Sequence, residues 1–62
     1  MNIVTVEGKE YDLDSVPTRA SEQIQKLLFL NSDLAKMMVP PDEIPKKLEA
    51  ARVALAQALA AA

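Results

Sequence analysis

The chain has 62 residues, with no Cys, His or Trp, one Gly and a net charge of -2. That inventory excludes disulfides, His and Cys metal sites, His- or Cys-based catalysis and Gly-rich phosphate loops, so no enzyme, metal or cofactor is expected. Its weak, mixed charge supplies no basic field for nucleic acid or anionic lipid.

At this length there is room for one domain, residues 1–62, and folding buries only about 60% of the surface that the unfolded chain exposes. With disulfides and most metals excluded, a second subunit is the remaining staple, so a homo-oligomer is expected. Met1-Asn2-Ile3-Val4-Thr5-Val6 lacks the basic start and long apolar run of a signal peptide, and no run approaches the ~18 apolar residues of a membrane span. A soluble, cytoplasmic protein is the expectation.

Residues 1–14 read as a β-hairpin. β-Branched residues flank Glu7-Gly8, and the Gly can supply positive φ for a two-residue turn. The implied register sets Val6 opposite Lys9, Thr5 opposite Glu10, Val4 opposite Tyr11 and Ile3 opposite Asp12. Val4, Val6, Tyr11 and Leu13 then share a face, which must lie on a helix because an isolated hairpin is barely stable.

Residues 15–62 read as a helical hairpin with its turn near 39–42. The first helix takes Ser15 or Thr18 as cap and runs toward Val39, where Pro40-Pro41 ends it. Ala20, Ile24, Leu27, Leu34 and Met38 form its apolar stripe, widened by Leu28 and Ala35. Asn31 falls in the middle of that stripe. It either fixes register as a buried polar residue or, with Ser32, caps a new helix. The continuous helix is expected, because the apolar spacing passes this point without a phase shift. The second helix begins after Asp42 as cap, with Pro45 in its first turn. Ile44, Leu48, Ala51, Leu55, Ala58 and Ala62 follow a 4-3 pattern in it. Its Ala-rich tail is either a fraying end or a close-packed subunit contact. The fold class is therefore α+β, mostly α.

Few residues look surplus to this fold. Asp12 and Asp14 have a ligand-like spacing, but two carboxylates are too few for a cation cage, and a solvated strand end leading into a helix is the expectation. Lys46, Lys47, Glu49 and Arg52 read as a wet helix face. Phe29 falls on the side of the first helix that faces away from the Leu stripe. Either the β-hairpin folds back to cover it with Tyr11 and the valines, which is the expectation, or Phe29, Leu30 and Met37 anchor another protein.

The run Val4-Thr5-Val6-Glu7-Gly8-Lys9-Glu10-Tyr11-Asp12-Leu13-Asp14-Ser15, followed by an amphipathic segment with Leu28-Phe29 and an Ala-rich helix, resembles a group of short uncharacterised proteins of bacteria and their phages. Pro40, Pro41 and Pro45 depart from the more continuous helix of that group. The resemblance implies a bacterial or phage origin and the hairpin-plus-helices layout, with no activity to carry over. The leading functional expectation is a non-enzymatic interaction module, such as a phage accessory protein or an inhibitor of a bacterial host protein. The alternative is an oligomeric anion-binding or sequestering protein, in which Lys9, Tyr11, Arg19 or Arg52 holds a nucleotide-like ligand. A structural subunit of a larger particle is a third.

Overall fold

The computed structural model describes residues 1–61, so Ala62, counted in the 4-3 pattern, lies outside the described residues. The chain runs β1 (Ile3–Val6), β2 (Lys9–Asp12), α1 (Thr18–Leu30), α2 (Asp33–Met38) and α3 (Ile44–Ala60). It is an α+β fold, mostly helical, in which a two-stranded hairpin precedes a helical hairpin.

The strands pair antiparallel in the register read from the sequence, Ile3 with Asp12 through Val6 with Lys9. The turn draws on more than Gly8. Glu7 (φ 50°) and Gly8 (φ 82°) both take positive φ, as a two-residue turn matched to strand twist requires. Beyond the strands, the Leu13 N–H donates to the Asn2 carbonyl at 3.0 Å. Val6 is buried and Val4, Tyr11 and Leu13 are half-buried against the core, so this face lies on the helices as expected.

The chain then turns on Asp12, whose carboxylate accepts from the Asp14 N–H (3.0 Å) and the Ser15 hydroxyl (3.1 Å). This engagement corrects the first expected cap. Ser15 is bound to Asp12, Pro17 occupies the N-cap position, and Thr18 is already helical with no side-chain cap bond. The fixed φ of Pro17, -58°, sets the chain into the first turn, where the Ser21 N–H donates to the Pro17 carbonyl at 3.0 Å.

The expected continuous first helix is also corrected, because it breaks at Asn31-Ser32. The Asn31 side-chain amide donates to the Leu27 carbonyl at 3.0 Å, and the Ser32 hydroxyl donates to the Phe29 carbonyl. These side chains compete for carbonyls at the helix end, and Ser32 turns extended (φ -88°, ψ 161°) to start α2. The buried line therefore runs Ala20, Ile24, Leu27 and Leu30, with Ala35 buried in α2. Leu34 and Met38, expected in the stripe, face solvent, and Leu28 is at its exposed margin.

Val39 is extended, as a residue before proline prefers, and the chain turns through 40–43 into α3. Glu43, one residue later than the expected Asp42, takes the N-cap position, with Pro45 in the first turn where no N–H is needed. The inward face follows the 4-3 pattern, with Ala51 and Leu55 buried and Ile44, Leu48 and Ala58 half-buried. The largest contact between elements joins α1 to α3. Val6, Ala20, Ile24, Leu27, Leu30, Ala51 and Leu55 form one core, with no buried polar side chain among the described residues. No helix among those residues is long and apolar enough to cross a membrane.

Candidate functional site

The α1–α3 pair has two flanks that differ in what covers them. On one, the inward face of the β-hairpin closes down on Leu27 and Leu55, leaving a cavity of about 290 Å³ lined also by Val6, Lys9, Tyr11 and Leu59. The hairpin tip is tied there by Glu7. Arg52 Nη2 donates to Glu7 Oε2 at 2.6 Å and Arg52 Nε to Oε1 at 2.9 Å, a bidentate pair. Asn31 Nδ2 adds a third bond to Oε2 at 3.2 Å. The Arg52 hydrogen bonds hold the Glu7 carboxyl below its ordinary range, against a smaller opposing effect of desolvation, and Glu7 in turn raises the Arg52 guanidinium. One carboxylate thus joins the β-turn, the end of α1 and the middle of α3.

Among the described residues the opposite flank has no such cover. A groove of about 850 Å³ lies between α1 and α3, with Phe29 and Leu30 on one wall, Ala50, Ala51 and Ala54 on the other, and Val39 at one end. Beside it, sharing Glu22, Gln23 and Ala54 in its lining, lies a second trough of about 740 Å³ that reaches Pro17 and Ala61. The alanines make this channel, because a Cβ is all that each projects from α3. Lys26, Lys47 and Arg19 stand along it with Glu22.

A third surface is α2, whose single buried side chain is Ala35. Leu34 is 53% exposed, Met37 83% and Met38 67%. Asp33 and Lys36 pair on the same short helix at 3.5 Å.

The expected site residues are divided among these surfaces. Of the interaction set, Phe29 is half-buried on the groove, Met37 is exposed on α2, and Leu30 belongs to the core at 8% exposure, so it is no exposed anchor. Phe29 shares its groove with Val39, Lys47 and Ala50, whereas Tyr11 lines the cavity on the other flank. Phe29 and Tyr11, expected to meet, thus line different surfaces, and Phe29 is half-buried against the core cluster at the edge of the groove. Of the anion set, Lys9, Tyr11 and Arg52 meet at the hairpin cavity, while Arg19 lies on the far groove. The Arg52 charge there is already bonded to Glu7.

Asp12 serves the turn after β2. The Asp14 N–H, first, and the Ser15 hydroxyl hold its carboxyl below the ordinary value, and no cluster of three acidic ligands occurs among the described residues. Sequence reading missed Glu7, the cationic groove and the outward Leu34 and Met38. Glu7 and Arg52 lie 45 residues apart, so no local spacing joins them. The alternation of Ala50, Ala51, Ala54 and Ala58 with Lys47 was a visible signal for the groove wall. Compared with family models, curated proteins and solved structures, the chain matches none, and its functional reading rests on its own geometry.

Proposed function

We propose that this chain is a non-enzymatic protein-interaction module that makes contact through α2 and the surface beside it. The observation that carries the reading is the outward display of Leu34, Met37 and Met38 on a six-residue helix that buries only Ala35. Large apolar side chains gathered on one short element favour association, and Met adapts its shape to a partner surface. Among the described residues the largest fully buried side chains are Ile24 and Leu27, both from α1, and α2 adds only the small side chain of Ala35 to the buried set. The anion-binding alternative has less support, because the Glu7 carboxylate already occupies Arg52 and Arg19 lies on another face.

Native mass spectrometry of the parent and a Met37→Glu/Met38→Glu variant, each purified from the cells of origin, tests the reading. The expected result is a protein subunit retained by the parent and lost by the variant, with both melting alike. A parent that carries only a small anion, or nothing, overturns it.

A further inference from the structure

The groove between α1 and α3, on the flank that the β-hairpin leaves bare, has a definite shape and charge. With the trough that adjoins it at Glu22, Gln23 and Ala54, it spans Lys47 to Ala61 of α3, about 20 Å at 1.5 Å per residue or nearly four helical turns. One wall is alanine, which lets a neighbouring backbone approach closely, and the half-buried Phe29 is the large apolar side chain of the facing wall at one end. Small domains bury an amphipathic layer against a second layer, and here α1–α3 has that layer on one side only.

The charges around the groove are not those of the chain as a whole. The net charge is -2, yet three of the seven cations, Arg19, Lys26 and Lys47, line this channel against one of the nine acids, Glu22. We propose that the groove is the docking site for an amphipathic helix of another protein, apolar on one face and flanked by carboxylates. The proposal rests on the interaction reading above and names its partner's chemistry. A second copy of this chain does not supply that partner. Its α1 carries Arg19 and Lys26 against Glu22, α2 carries Asp33 with Lys36, and α3 carries Lys46, Lys47 and Arg52 against Glu49. The acids of the chain stand mostly in the β-hairpin and the loops, so none of its own helices is flanked by an excess of carboxylates.

An apolar helix in such a channel places side chains at i, i+3, i+4 and i+7 along the floor, with its flanks over the lysines. Two fluorescent 18-residue helical peptides provide the probe, identical in a Leu stripe of that spacing and differing in Glu or Lys on both flanks. Anisotropy at 50 mM salt is expected to show the Glu peptide binding at least tenfold more tightly, with the gap narrowing at 500 mM as screening grows. Lys26→Glu/Lys47→Glu, at two exposed positions that leave the core intact, should reverse the order of the two peptides.

Equal affinities, an unreversed order in the variant, or no binding of either peptide up to 1 mM overturns the proposal. So does a concentration-dependent dimer that Ala54→Phe abolishes, because a second copy then fills the channel. Should these results fail while the α2 variant still loses its subunit in native mass spectrometry, the groove assignment falls and the interaction reading stands.

Discussion

Leu27 and Leu28 are adjacent, chemically identical and separated by 100° on α1, which makes them a direct test of where the core lies. Leu27 is 1% exposed and Leu28 37%. Leu→Ala at a fully buried site costs about 2.7–5 kcal/mol, the transfer term plus the cavity left behind. A chain of this length has a total stability of roughly 3–9 kcal/mol at 0.05–0.15 kcal/mol per residue. Leu27→Ala therefore removes a large share of it. With about 4–8 °C per kcal/mol for a small domain, melting should drop by more than about 10 °C, and the weakest case is a chain unfolded at room temperature. At Leu28 over a third of the residue already meets water, and the higher helix propensity of Ala offsets part of the lost burial, so the expected cost is about 1–2 kcal/mol. Urea unfolding followed by circular dichroism measures both on one scale. Equal losses, or a larger loss at Leu28, would mean that α1 is rotated from the orientation described and would refute the placement of the core.

Gly8→Ala should destabilise the fold by about 1–2 kcal/mol through backbone strain alone, since φ is +82° and a Cβ there meets nothing within 4 Å; a neutral result in thermal melting would mean the turn has another geometry. Glu7 and Asp12 both have folded-state pKa values below their ordinary 4.5 and 3.8. Their stabilisation is present above those ordinary values and is lost as pH falls through the lowered ones, so the melting temperature should decline on acidification below about pH 4.5. Glu7→Gln should flatten the part of that decline owed to Glu7, and an unchanged acid limb would show that the Arg52 pair does not act in solution. Phe29→Ala and Tyr11→Ala should add within about 0.5 kcal/mol, because the two rings line opposite flanks of α1–α3. A coupling above about 1 kcal/mol between them would place both on one flank.

The parts of the fold legible in the sequence are those governed by a strict period. In the hairpin, a slip of one residue would turn Val4, Val6 and Tyr11 to solvent, so the alternation and Gly8 together specify the register. In α3, the 4-3 spacing from Ile44 to Ala58 names the inward residues because nothing interrupts it. Spacing was insufficient at Leu30 and Asn31. At i+3 and i+7 from Leu27, Leu30 and Leu34 share its face in a continuous helix, so spacing alone carries the apolar line past Asn31 to Leu34 and Met38. Hydrogen bonds from Asn31 and Ser32 to the Leu27 and Phe29 carbonyls end the line at Leu30, and periodicity does not register such bonds. The Glu7–Arg52 pair was hidden for a different reason. Both residues look like ordinary wet charges until the hairpin lies on the helices and brings the turn over α3.

That single break in the helix shapes α2, the groove and the seat of the hairpin alike. Had α1 continued in phase to Val39, Leu34 and Met38 would extend the buried stripe. Ending α1 at Leu30 instead assigns the last buried place to Leu30, and α2 restarts with Ala35 inward and Leu34, Met37 and Met38 outward. The same break brings Val39 to the end of the channel beside Phe29, which gives that ring a wall and leaves the channel open toward Ala61. Asn31 also reaches Glu7, so the residue that ends α1 helps to hold the hairpin on the opposite flank. A sequence selected only for a stable helical hairpin would favour an apolar residue at position 31 and one uninterrupted helix. Asn31-Ser32 forgoes that burial, and the break it makes turns outward the α2 side chains that carry the interaction reading and places Val39 at the groove proposed to dock a helix.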